Sequence, residues 1–281
     1  MSARLVVSHR TGYIYGKGAL TSFNEARLTP PTTSEQTVFF SRVEVTPQPW
    51  TFDYVDYWGT HVTGFEVSER HDRLVVTASS TVDVHRPARQ GLGLDWDGLA
   101  AECVGVEACE FLEVSDRVRP PDDLRERVVA LRTDAIGPAE LVALVTTLVH
   151  DEVAYVPGST SVSSHAVDAW QARQGVCQDL AHLTIGALRS VGIPARYVSG
   201  YVLPDESAPV GMPVDGESHA WVEWWDGAWL AVDPTNMVTP GDLHVEVAHG
   251  RDYADVPPLS GVYTGGTDTD MFVEVTITRL S

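Results

Sequence analysis

The sequence predicts an α+β protein in which an antiparallel β domain precedes a domain of helices and then strands. Three observations carry this. The first third holds short β-branched and aromatic runs, QTVFFSRVEV, TFDYVDYW, HVTGFEVSE and RLVVTASSTVDVH, separated by Pro, Gly or charged turns. The middle carries apolar residues at helical spacing, and strand patterns return after Pro194. The expected division is 1–90 for the β domain, 91–120 for a connection marked by Gly91-Leu92-Gly93, and 121–281 for the second domain.

Composition narrows the function. With 39 acidic against 19 basic residues in 281, the formal charge is −20, which argues against duplex nucleic acid or an anionic membrane as partner. A chain that is 43% hydrophobic at this length can bury a substantial core. The first residues, MSARLVVSHRTGY, lack the apolar run of a signal peptide, and no stretch of about 18 apolar residues occurs, so a soluble, cytoplasmic protein is expected. Three cysteines, Cys103, Cys109 and Cys177, are too few and odd in number for a disulfide framework.

In GPAELVALVTTLVHDE, Pro138 suits the first helical position, and Leu141, Leu144, Val145 and Leu148 form one face. A short helix over HAVDAWQARQ ends before Gly175. The next helix is the most legible: Leu180, Leu183, Thr184, Ala187, Leu188 and Val191 make a stripe, Gly192 supplies the C-cap and Pro194 the stop. Strands follow in ARYVSGYV, SHAWVEWW, AWLAVDP and MFVEVTITRL, with Gly/Pro-rich loops between them long enough to cover a site.

Cys177 stands at the start of that legible helix, where free N–H groups and the helix dipole favour a thiolate, the form that attacks carbonyl carbon. Cys103 and Cys109 lack such a setting and are expected to be structural. A nucleophilic thiol needs a base, and the base an orienting acceptor. If Trp225-Asp226-Gly227 is a three-residue loop, His219 falls directly opposite Asp233; a two-residue Asp-Gly loop would put them on opposite faces. In the first register Ala220, Val222 and Trp224 face the core with Val232, Leu230 and Ala228. Spacing alone leaves both registers open, and the bland reading of His219 as a satisfied strand residue with them.

GVCQDLAHLTIGALRSVGIPARYVSGY followed by HAWVEWWDGAWLAVDPT resembles the core of the transglutaminase-like superfamily, whose papain-like fold carries Cys, His and Asp in that order. The resemblance is firmest over about Leu141 to Asn236, and YIYG, FNEARLTPP and RLVVTASS are similar to the β domain of bacterial members. It implies Cys177 as nucleophile, His219 as general base and acid, and Asp233 as orienter. The implied reaction is attack on an amide carbonyl, release of ammonia or an amine, and resolution of a thioester by water or a second amine.

The backbone N–H of Cys177 would meet the oxyanion, with Gln174 and Tyr155 as candidates for a second donor. Gln178-Asp179 departs from the aromatic residue that follows the cysteine in animal transglutaminases, and Asp179 would either assist the helix or oppose the thiolate, depending on where it points. Trp221, Asp252 and Tyr253 are candidate substrate contacts. No calcium loop is visible, and His150, His165 and His182 share no metal-binding spacing, so neither a metal nor a cofactor is expected. The expected partner is a peptide or protein amide, with peptidase or amidase activity preferred. Cross-linking of glutamine side chains to amines is one alternative, and a non-catalytic peptide-binding module the other.

Overall fold

A strand of 27 residues, β1 (Ala3–Thr29), is the axis of the molecule. Alternating side chains such as Leu5, Val7 and His9 are buried along it, and Gly18, at φ +73°, stands where its partners change. The computed structural model describes residues 2–103, 107–205, 207–266 and 269–281. After β1 come β2 (Gln36–Thr46), β3 (Trp50–Val55), β4 (His61–Val67) and β5 (His71–Val84). Next are α1 (Trp96–Glu102), α2 (Asp122–Asp134), α3 (Pro138–Glu152), β6 (Ala154–Tyr155), α4 (Ala166–Ala172), β7 (Gln174–Gly175) and α5 (Cys177–Ser190). The chain ends with β8 (Ala195–Val202), β9 (Pro213–Trp225), β10 (Trp229–Val232), β11 (His244–Gly250), β12 (Leu259–Gly265) and β13 (Thr269–Arg279).

One sheet runs through the molecule in the order β11-β8-β9-β13-β1-β4-β3. Its hinge is β9: Pro213–Gly216 pair with β13, while Glu217–Trp224 pair with β8. Because β12 and β13 pair with β1, the last strands of the chain close the N-terminal sheet. The expected division at 121–281 is therefore not a division between sheets. The alternation in MFVEVTITRL predicts the strand, but pairing across some 260 residues leaves no local trace. Residues 104–106 of the expected connection lie outside the described residues.

Helix α5 is buried from Gln178 to Arg189, because α2, α3 and α4 cover one side and β8 and β9 the other. The predicted stripe is thus only part of its buried surface. Arg189 is tolerated inside because its guanidinium donates to the backbone carbonyls of Ala195, Glu113 and Arg251. On α3 the buried face is Leu141, Val142, Val145 and Val149, with Leu144 turned to solvent, a rotation from the expected stripe. Among the described residues no helix is long and apolar enough to cross a membrane.

Gly186 marks the tightest approach in this core. A Cβ there would lie 1.7 Å from the Val118 carbonyl oxygen. Gly186→Ala should therefore destabilise the protein by about 1–3 kcal/mol through overpacking, against a gain in helix propensity of about 1 kcal/mol. Urea unfolding measures the balance, and an unchanged or raised midpoint would contradict this packing.

Candidate active site

Cys177 is the first residue of α5, following an extended Val176. The helix starts there because Asp179 turns back. Its Oδ2 accepts from the Val176 N–H at 2.8 Å and from the Thr160 hydroxyl at 2.5 Å. This carboxylate is committed to the helix start, which answers the question raised by Gln178-Asp179. Burial pushes its pKa up, against the lowering effect of those two bonds. The N–H groups of Cys177 and Gln178 belong to the first turn and have no intrahelical acceptor, so they form a donor pair beside the thiol.

His219 lies on β9, and its register with β10 differs from the one expected. Trp225 pairs with Trp229 and Val222 with Val232, so the loop is Asp226-Gly227-Ala228, with Gly227 at φ +74°. The shift of two residues preserves the faces. Asp233 is diagonal to His219 rather than opposite it, and the imidazole still reaches: Nε2 donates to Asp233 Oδ2 at 2.7 Å. The Asp226 carboxylate also accepts from the N–H groups of Gly93 and Leu94, tying the 91–94 segment to the hairpin.

Asp233 is 1% exposed and surrounded by donors. Oδ1 accepts from the N–H groups of Thr235 and Asn236, and Oδ2 from the Asn236 side-chain amide at 2.8 Å; the His244 ring approaches Oδ2 at 3.5 Å. Burial opposes ionisation here, but the bonds from His219 and His244 hold the carboxyl well below its usual range. For His219, burial likewise opposes the charged form. Its bonds to Asp233 and Cys177, with the negative charge on both, raise it to about 10. Since Nε2 is occupied by Asp233, Nδ1 is the nitrogen left for the thiol. Cys177 and His219 line one cleft of about 190 Å³.

Trp221 does not reach the substrate side. It is fully buried and packs near-parallel to His219, with ring centroids 6.2 Å apart. Gly200 gives its ring room, since a Cβ there would meet the indole at 2.7 Å. Asp252 is also buried, accepting from Ser115 at 2.6 Å and from the Ala254 N–H, so it anchors its loop. Tyr253 does line the cleft; its N–H donates to His182 Nε2 at 3.2 Å, and burial keeps that histidine neutral by lowering its pKa to about 3.

Tyr155 borders a larger cavity of about 660 Å³ that continues past His219. Its hydroxyl donates to Glu217 at 3.0 Å, and burial together with the negative charge of Cys177 raises its pKa, so it stays a donor. Gln174 is exposed on β7, pairs with Ala154 through the backbone and lines neither cavity, so the structure does not bring it to the thiol. His165 caps α4 and His150 bonds the Pro234 carbonyl. Cys103 is buried and Cys109 partly so, both packed in the core.

Sequence reasoning missed Asn236 and His244. Asn236 follows Asp233 by three residues in an Asp-Pro-Thr-Asn turn whose N–H groups fold back on the carboxylate, a legible signal. The ligand atoms of His219, Asp233 and His244 lie within 4.8 Å of one another, a set that could hold a metal ion. However, 2.7 Å between Nε2 and Oδ2 is a hydrogen-bond length, shorter than two ligands on one tetrahedral ion allow.

The chain matches the transglutaminase-like superfamily over residues 123–234 and the bacterial transglutaminase-like N-terminal region over residues 5–83. It is 42% identical over 279 residues to an uncharacterized protein of Mycobacterium leprae, covering 99% of both chains. It belongs to the transglutaminase-like superfamily. Another relative is a protein-glutamine gamma-glutamyltransferase of Pseudomonas aeruginosa, 35% identical over 150 residues, which cover 48% of this chain and 22% of that one. Among solved structures, a candidate cysteine protease from Cytophaga hutchinsonii shares the fold of this superfamily member with a TM-score of 0.76, at 21% identity and over 99% and 98% of the two chains.

The two pKa directions set a pH profile for stability. The lowered Asp233 contributes stability above the ordinary carboxylate value of about 3.9, lost as pH falls. The raised His219 contributes it below the ordinary value of about 6.5, lost as pH rises toward about 10. The gap in urea midpoint between wild type and Asp233→Asn should therefore be widest between about pH 4 and 6.5 and narrow on both sides, because the buried neutral His9 and His182, which lose stability as pH falls below about 6.5, act alike in both proteins. Parallel profiles for wild type and variant would contradict the pairing.

Proposed function

We propose that the protein is a cysteine-dependent amide hydrolase or acyltransferase working through a thioester on Cys177, with water as the preferred acceptor. The observation that carries this reading is the shared cleft: a helix-initiating thiol and an imidazole whose far nitrogen is held at 2.7 Å by a buried carboxylate. Cys177 Sγ attacks the carbonyl carbon of a peptide or glutamine-type amide, forming the S–C bond. The oxyanion is met by the N–H groups at the start of α5. As the tetrahedral species collapses, the C–N bond breaks and His219 gives its proton to the departing nitrogen. His219 then takes a proton from water, which attacks the thioester and frees the thiol.

Transfer to an amine is the second reading. It is favoured by the likeness to the Pseudomonas aeruginosa enzyme and by Asp215 and Glu217 on the wall of the larger cavity, which suit a cationic acceptor. Incubation of a glutamine-containing peptide mixture with and without a primary amine separates the two. The proposal expects released ammonia or new amino termini with little amine incorporated, whereas incorporation in place of hydrolysis would reverse the order.

Cys177→Ala should abolish turnover, and Asp233→Ala should lower it by about 10²–10⁴-fold by releasing the imidazole. Unchanged turnover in Cys177→Ala would refute the mechanism. A purely binding module is recognised by iodoacetamide alkylation of Cys177 at neutral pH: the enzyme reading requires a marked slowing in His219→Ala, the module reading none.

A further inference from the structure

The face of β13 that enters the core does not stop where the core stops. Ile277 and Val275 are buried where β13 pairs with β9. The next two residues on the same face, Val273 and Met271, are 47% and 51% exposed, because β9 has turned away to pair with β8. They project into the cleft lined by Cys177 and His219, with Leu259 and Tyr253 on the same wall. The N-terminal sheet thus forms one side of the cleft, where Met271 and Val273 stand beside His9 and Thr11 of β1.

The cleft holds about 190 Å³. Apolar cavities of about 150 Å³ accept a benzene ring, so this is room for one aliphatic or aromatic side chain. Apart from His219, whose charge is committed to Asp233 and the thiol, its described lining offers no cation to pair with an acidic group: His9, hydrogen-bonded to the Tyr201 hydroxyl at 2.9 Å, is neutral because burial lowers its pKa to about 4. Position assigns the pocket to one half of the substrate. The acyl group bonds to Cys177, which lines this cleft, and the leaving nitrogen is protonated by His219, beyond which lies the larger cavity whose walls do not include Cys177.

We propose that Met271 and Val273 are specificity-determining residues, selecting an apolar side chain on the acyl half of the amide that Cys177 attacks. The inference rests on the thioester reading above for the direction of the substrate, and it makes the N-terminal β sheet part of the recognition surface rather than a support.

Peptidyl acyloxymethyl ketones carrying Leu, Phe, Asp or Lys next to the reactive group test this by labelling, without the need for turnover. The wild-type protein should label about tenfold or more faster with Leu or Phe than with Asp. Met271→Asp and Val273→Asp should each reduce that ratio severalfold and raise the relative rate with Lys, while Met271→Leu keeps the wild-type ratio. Iodoacetamide, which needs no pocket, supplies the reference: each probe's rate is divided by the iodoacetamide rate of the same variant, so that the effect of an added carboxylate on thiol reactivity cancels, and labelling at all reports an accessible Cys177. Equal wild-type rates across the four probes, or a ratio unmoved by both Asp variants, would overturn the proposal. Failure of the thioester reading would be seen separately, as iodoacetamide labelling indifferent to His219→Ala.

Discussion

A buried carboxylate that must stay ionised governs the site. Asp233 is removed from water, a costly place for a charge, and it is kept charged by donors from three directions: two backbone N–H groups of its own turn, the Asn236 amide and the His219 ring. Because every lone pair is directed, the imidazole has one favourable orientation. Trp221 flanks the ring at 6.2 Å between centroids, with the Arg86 guanidinium 5.7 Å from the indole, and limits its motion on that side. The position of Nδ1 beside the thiol follows from these two restraints.

The second restraint belongs to α5. A helix start must satisfy its own N–H groups, and Asp179 does so for Val176 while also holding Thr160. The N–H groups of Cys177 and Gln178 stand in the first turn, where the helix supplies them no acceptor. A single acidic residue thereby organises the nucleophile's end of the site, as Asp233 organises the base's end. The two ends are joined by β8 and β9, on which α5 packs, and β9 then continues into the N-terminal sheet through β13. Strand pairing, not a flexible linker, relates the β sheet to the cleft.

Much of this was legible in the chain. Cys177 before a clean helical stripe, and His219 and Asp233 on one face of a hairpin, could be read from residue type and alternation. The register could not, because Trp225-Asp226-Gly227-Ala228-Trp229 accepts either loop; the observed one pairs Trp225 with Trp229 and brings their rings to 5.3 Å. A two-residue shift keeps parity, so His219 and Asp233 share a face and meet although they are not directly opposite. His244 had no local signal, since it arrives on β11 from across the sheet. As an aromatic and an acidic residue near the site, Trp221 and Asp252 suggest substrate contacts in the sequence, yet burial assigns both to support. Helix α2 went unread because its apolar residues are outnumbered by charged ones in DDLRERVVALRTD.

The charge state of His219 in the resting protein is the quantity on which this account stands. Nitrogen-15 NMR of histidine-labelled protein, with the His219 signals assigned by His219→Gln, reads it directly. The account predicts both ring nitrogens protonated at pH 7 and deprotonation only toward about pH 10, with the Asp233→Asn variant titrating markedly lower. A neutral ring at pH 7, or one indifferent to Asp233, would contradict it.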